Sequence, residues 1–364
     1  MDNRSQSRSE QSKQDTLDAL WERLEPLKPY LEESGVEEVA INRVGEVRLW
    51  KSGRWESRLV PEITLRFLET IGANLASYTG KPFNRQHTNM STHLPTGERV
   101  EMTHPPQSPE DVLYVNIRKH SGEAFPHEKL VQQGYYNNVR HEQSLSLTTE
   151  QRKILLPHLT DREKELWALA TSGKWATFMQ KAVEGYQNIV VSGATGSGKT
   201  SYCRSLIELI SPEDRIVTVE DTPEMPLPNH PNNNRLLFKK NPDDAEGATA
   251  KDVMHSVMRK TPKRVLLAEL RGDEAMFYLS GVLSSGHPGG ITTTHANSPR
   301  DAFFRLALLI LSSDAGKTLD METTKMLLHM TVHVVVQLEF DDKKNRRYVS
   351  GIYYDPMHRL SLLG

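Results

Sequence analysis

A chain of 364 residues exceeds what one compact core ordinarily supports, so two domains are the expectation. Its 45 basic and 47 acidic residues leave a formal net charge of −2, which excludes a global field toward nucleic acid or anionic membrane and makes any such contact local. The single cysteine, Cys203, excludes a disulfide scaffold and fits a reducing compartment.

Residues 1–15, MDNRSQSRSEQSKQD, lack the apolar segment of a signal peptide and read as a disordered tail. Nowhere does the chain approach the ~18 consecutive apolar residues of a membrane span. Leu17, Leu20, Trp21, Leu24 and Leu27 predict a helix over Thr16–Leu31, disturbed at its end by Pro26 and Pro29. Val36–Ile41, Glu46–Lys51 and Arg54–Val60 read as strands joined by turn residues, and a second helix spans Thr64–Thr79. Further strands are expected near Glu98–Met102 and Val112–Arg118. Strand runs with separate helices predict a small α+β domain over residues 16–140. Residues 141–165 have weak periodicity and read as a linker carrying a partial helix, with the second domain over 166–364. There Ile216–Val219, Val265–Leu267, Ile291–Thr294 and Val332–Leu338 are short and aliphatic, as in a parallel sheet covered on both faces. Ser298, Pro299 and Asp301 mark a helix start, and Val349–Tyr354 reads as an antiparallel edge hairpin.

The strongest signal is NIVVSGATGSGKTSYCRSL, Asn188–Leu206, in which an apolar strand feeds a loop matching GxxxxGK[ST] over Gly193–Thr200. Gly193, Gly196 and Gly198 allow successive N–H groups to turn inward on a phosphate, and Lys199 adds a cation. Thr200 opens a helix with a hydroxyl suited to Mg²⁺, at the positive end of the helix dipole. The loop therefore predicts binding of a nucleotide triphosphate.

Three later segments add chemistry. In VEDTPE, Glu220 and Asp221 stand at the carboxyl end of a strand, where a carboxylate can order Mg²⁺ waters. In RVLLAELRG a strand delivers Glu269, the candidate for activating the attacking water and contacting Mg²⁺. In GHPGGITTTHANS, His287 and His295 do not have zinc spacing, and His295 ends a Thr-rich strand where its imidazole can meet a γ-phosphate. The tract Lys343-Lys344-Asn345-Arg346-Arg347 reads as a solvated hairpin turn, with contact to anionic lipid as the other reading.

GATGSGKTSY, RIVTVEDTPEMPLPNHPN, AELRGDEA and SSGHPGGITTTHANSP occur in the order that resembles the secretion-superfamily traffic ATPases. The LPNHPN loop and the N-terminal LPTGERV resemble the VirB-type ATPases of type IV secretion and conjugation. The resemblance implies an α/β protein, a RecA-like P-loop ATPase domain preceded by a smaller α+β domain. It further implies a homohexamer that hydrolyses ATP with Mg²⁺, cytoplasmic and peripheral to the inner membrane. Its partners would be other secretion-machine ATPases and inner-membrane components. Gly193, Ala194, Thr195, Gly196, Ser197, Gly198, Lys199, Thr200 and Ser201 would bind nucleotide, and Thr200 and Glu269 the metal. Glu220 matches the Asp-box acid, Glu269 the Walker B acid followed by Arg271, and His295 the His-box histidine. Arg118 best matches an arginine that the family brings from its N-terminal domain to the phosphates, with Arg140 the weaker match. Ala268 and Ile291 depart from the family's usual Gly and Thr. A type IV pilus or type II secretion motor and a nucleotide-switched scaffold are the alternatives. A nucleic-acid translocase lacks its basic, aromatic groove here, so no sequence-specific nucleic-acid binding is expected.

Overall fold

A computed structural model describes residues 20–51, 53–119, 125–239 and 247–363. Residues 1–15 and Leu17 lie outside these. The chain divides into two compact units, Met1–Glu123 and Ala124–Gly364.

The first unit is built on a six-stranded sheet in the order β3-β2-β1-β6-β5-β4. Its strands are β1 (Val36–Arg43), β2 (Glu46–Lys51), β3 (Arg54–Leu59), β4 (Asn89–His93), β5 (Arg99–Thr103) and β6 (Tyr114–Arg118), every pair antiparallel. One face carries Val39, Ile41, Leu49, Val100, Met102 and Ile117 into a core shared with Leu68, Ile71 and Leu75 of helix Leu65–Thr79. Thr64 caps that helix, accepting the Phe67 N–H, and Gly80 ends it at φ 67°. Among the described residues, the expected first helix is helical over 20–23 and again over Lys28–Glu32, with a turn that contains Pro26 between them. β4, with the polar sequence NMSTH, has no apolar alternation to announce it.

The second unit holds two sheets. β9 (Ile216–Glu220) lies between β10 (Asn233–Leu237) and β11 (Arg264–Leu267), all parallel. The other sheet runs β12-β8-β13-β14-β7, from β7 (Arg140–Glu142), β8 (Ile189–Gly193), β12 (Ile291–Thr294), β13 (Val334–Asp341) and β14 (Arg346–Tyr354). Just past the end of β11, the Leu270 N–H donates to Thr293 O at 2.8 Å and joins the two. Ile189 and Val191 pack with Phe178, Met179, Tyr202 and Leu206 on one face, and Val190 packs with Val253, Leu279, Leu306 and Ile310 on the other. This two-sided burial explains the continuous apolar strands.

One expectation is corrected here, the edge position of β14. Residues 141–165, expected as a linker with a partial helix, carry part of β7, helix Thr149–Leu155 and the start of helix Asp161–Thr171, all within the second unit. Arg152 pairs with the buried Asp355 at 2.7 Å, a contact 203 residues distant in sequence and so absent from local periodicity. β14 is antiparallel to β13 as expected, but it is no edge, because β7 pairs with it in parallel.

At the amino end of β11, Arg264 is 2% exposed, and its Nε donates to Asp214 at 2.7 Å. Its guanidinium also lies over the Tyr186 ring at 3.9 Å and donates to Val183 O. Breaking such a buried pair costs about 3–5 kcal/mol, so the strand that delivers Glu269 is firmly anchored at its far end.

Candidate active site

β8 ends at Gly193, where a Cβ would lie 2.6 Å from the Leu338 carbonyl oxygen, so glycine alone admits this approach of β13. Gly196 and Gly198 hold φ of 80° and 89°, which turn the loop onto helix Lys199–Ile207. Gly198 caps that helix without a side chain, leaving its dipole to attract an anion. Ala194 and Thr195 are exposed at the loop's rim, and Ser197 is buried with its hydroxyl donating to Ala194 O at 2.9 Å.

Lys199 is buried, and its ammonium donates to Gly193 O at 2.8 Å, to Ala194 O at 3.0 Å and to His295 Nδ1 at 3.3 Å. His295 Nε2 lies 3.0 Å from Glu269 Oε1. The other Glu269 oxygen accepts from Arg271 Nη2 at 2.6 Å, while Arg271 Nη1 reaches Asp221 at 3.1 Å. One imidazole thus connects the cation of the loop to the acid of β11. An ammonium facing Nδ1 requires the neutral tautomer with its proton on Nε2, while Glu269 Oε1, although 3.0 Å away, accepts no hydrogen bond.

The charges reinforce this assignment. Burial, then the positive charge of Lys199, push the His295 pKa below its usual 6.5, with Glu269 opposing. For Glu269, burial raises the pKa, but the hydrogen bond and charge of Arg271, with His295 and Lys199, outweigh it and hold the carboxyl below 4.5. At neutral pH the pair is therefore a neutral imidazole and an ionised carboxylate.

Backbone ties set this geometry. Leu270 N–H bonds Thr293 O, and Thr293 Oγ1 donates to Ala268 O at 2.9 Å, so β12 grips the Glu269 segment from both sides. Ser192 donates to buried Gln337, whose amide in turn donates to Ala296 O at 3.1 Å, tying β8 and β13 to the residue after His295.

Glu220 is differently placed from a solvent-facing site acid. It is wholly buried, and its carboxylate accepts from the N–H groups of Glu224 and Met225 at 2.6 and 2.7 Å and from Thr218 Oγ1 at 2.9 Å. Its role in these contacts is to shape the turn. The acids of that turn which reach other site residues are Asp221, toward Arg271, and Glu224, whose Oε2 lies 3.4 Å from Thr200 Oγ1. Thr200 and Glu269, expected together as metal ligands, thus face different partners, Glu224 for the one and Arg271 and His295 for the other. Ser201 follows in the loop's helix. Glu224 stands four residues after Glu220 in VEDTPE, and only its position after the turn shows which acid faces Thr200.

Arg118 closes β6 of the first unit, exposed and opposite Glu38 and Arg99. Arg140 pairs with Glu142 on its own strand at 2.7 Å. His287 Nδ1 lies 2.9 Å from Pro262 O. Cys203 is a buried packing residue whose thiol burial pushes up to about 12.

Residues 155–346 match the family model described as Type II/IV secretion system protein. The chain is 36% identical over 342 residues to the Type IV secretion system protein VirB11 of Brucella suis, covering 93% of this chain and 91% of that protein. It is 32% identical over 313 residues to Protein VirB11 of Agrobacterium fabrum, covering 86% and 87%. The chain belongs to the VirB11 family of type IV secretion proteins. Among solved structures, the VirB11 ATPase of the Brucella suis type IV secretion system in complex with sulphate aligns at TM-score 0.53 and 34% identity, over 97% of this chain and 99% of that one. The pilus retraction motor PilT with bound ADP aligns at TM-score 0.52 and 16% identity, over 87% and 77%, a likeness of fold alone. As in the VirB11 family, a RecA-like ATPase domain follows an N-terminal domain, and the chain is accordingly a secretion-family ATPase.

Protonating His295 would set a second cation 3.3 Å from the Lys199 ammonium. Because the His295 pKa is lowered, the neutral form persists below 6.5 as pH falls. ATP turnover should therefore decline on an acid limb whose midpoint lies below 6.5, and His295→Gln should abolish that limb in whatever rate it retains. A wild-type midpoint at or above 6.5 contradicts the assignment.

Proposed function

We propose that this chain is a Mg²⁺-dependent ATP hydrolase, acting as a homohexamer that powers substrate transport or pilus assembly by a type IV secretion machine. The observation that carries this reading is the line from Lys199 through His295 to Glu269, which couples a phosphate-loop cation to an ionised carboxylate.

The loop N–H groups and Lys199 grip the phosphates, and their fixed orientation stabilises charge as the terminal bond lengthens. Glu269 accepts a hydrogen bond from the attacking water and so aims its oxygen at the γ-phosphorus. A carboxylate held below its usual range is a weak base, so orientation is its first task. Its basicity rises when Arg271 gives up Glu269 and keeps Asp221, already 3.1 Å from Nη1. His295 stays beside Glu269 as the neutral imidazole, its Nε2 3.0 Å from the Oε1 that is free to accept from the water. Cleavage yields ADP and phosphate, with the water proton leaving through Glu269.

Among the described residues no cluster of three or more His, Cys, Asp or Glu side chains would hold a metal alone. Mg²⁺ is held by one or two carboxylates together with substrate phosphates. Thr200 and Glu269, with Glu224 beside Thr200, are the residues that would hold it. When bound, the ion neutralises phosphate charge.

Arg118 and, less directly, Arg140 are proposed as the arginines that add positive charge to the phosphates. The working place proposed is the cytoplasmic side of the inner membrane, beside the other ATPases and membrane components of the machine. No helix among the described residues is long and apolar enough to cross a membrane. The VirB11 relatives favour type IV secretion over a pilus or type II motor.

Wild-type protein should release phosphate from ATP with Mg²⁺, and Lys199→Ala and Glu269→Gln should each lose roughly 100-fold or more of kcat, the scale of removing one preorganised charge. Undetectable release by the wild type even with partner components present would favour a nucleotide-switched scaffold instead. On a sizing column with ATP and Mg²⁺ the wild type should elute as a six-subunit particle. A monomer under every nucleotide condition would rule out the ring.

A further inference from the structure

The tract 343–347 is not uniformly solvated. Lys343 and Lys344 form the hairpin turn, their N–H groups donating to Asp341 Oδ1 at 3.1 and 3.2 Å. Arg346 lies over Tyr348 at 5.9 Å. Arg347 bonds the phosphate loop, its Nε donating to Gly196 O at 3.1 Å.

Strand register produces this contact. β8 and β13 run side by side from the Ile189–Val334 pair to Gly193–Leu338, where β8 turns into the loop. β13 continues to Asp341 before β14 returns from Arg346, so the hairpin projects past the end of β8. Leu338 lies opposite Val349, and both pack with Tyr202 and Leu206 of the helix after the loop. Arg347 is two residues from Val349 and so shares its face, level with the loop. Phe340 lies directly opposite Arg347, with its ring 5.6 Å from the guanidinium. That contact fixes the side chain over the loop. Arg347 Cδ is close enough that a Cβ on Gly198 would meet it at 2.7 Å.

We propose that Arg347 is a positioning residue for nucleotide binding, holding the Gly196–Gly198 turn in the shape that accepts a triphosphate. This rests on the reading of Gly193–Thr200 as the nucleotide site. The turn has positive φ at both glycines and therefore wide conformational freedom. A charged donor on the Gly196 carbonyl and an arginine stem against Gly198 restrict that freedom before nucleotide arrives. Arg347 acts through the loop, so its loss should weaken binding without altering the chemical step.

The test is equilibrium binding of a fluorescent ATP analogue with Mg²⁺, together with kcat and KM for ATP, on the full chain. Arg347→Met keeps the stem but removes the donor and charge. It should raise Kd and KM roughly 10-fold, the scale of a lost hydrogen bond to a charged group, with kcat within about twofold of wild type. Arg347→Lys should recover part of that loss, leaving Kd about threefold above wild type. Binding by Arg347→Met within about twofold of wild type, or a fall in kcat at constant KM, would overturn the proposal. Should the Met variant not fold, wild-type affinity in Arg347→Lys overturns it in the same way. A wild type that fails to bind the analogue sinks the nucleotide reading itself. Binding lost in Lys199→Ala but intact in Arg347→Met sinks only the role of Arg347.

Discussion

An imidazole shared between an ammonium and a carboxylate is the constraint on which the second unit's chemistry depends. Lys199, His295 and Glu269 come from the start of a helix and the ends of two different strands. Each alone has an ordinary structural use. Held close together, they bias one another's protonation: burial and then the ammonium keep the imidazole neutral, and the neighbouring cations keep the carboxylate charged. A displacement of β11 or β12 by one residue would turn Glu269 or His295 to the opposite side of the sheet.

The fold is arranged to prevent that displacement. The paired strands are buried on both faces, so their register is set by packing on each side. Arg264 anchors β11 at its amino end, Thr293 and Leu270 fix its carboxyl end to β12, and Gln337 bridges β8 to the residue after His295. Asn188 adds a further tie at the entrance to β8, accepting from the N–H groups of Gly289 and Gly290 at 2.8 and 3.2 Å. Rigid strands thus supply precision, while glycine conformations confine adaptability to the loop.

Much of this was legible in the chain. The phosphate loop declares itself because its glycines, lysine and threonine occupy consecutive positions, and the aliphatic strands because burial on two faces leaves an uninterrupted apolar run. Glu269 and His295 could be placed at strand ends from their flanks. What escaped depends on pairing between distant segments. Strands β4 and β10 are polar or mixed, and β10 is recognised as a strand only beside β9. The segment 141–165 looks like a linker because its stabilising partner, Asp355, is far away in sequence. Glu220 and Glu224 exchange emphasis because the backbone turns between them, and Arg347 passes for a solvated turn residue until the β8–β13 register places it over Gly196.

A double-mutant cycle on single-turnover ATP cleavage, using His295→Ala, Glu269→Gln and the double variant, tests the shared-imidazole account most directly. If His295 acts by holding Glu269, the double variant should be no slower than the slower single variant, within roughly threefold. Losses that multiply, so that each substitution costs the same whether or not the other is present, would mean that the two side chains act independently and would contradict the account.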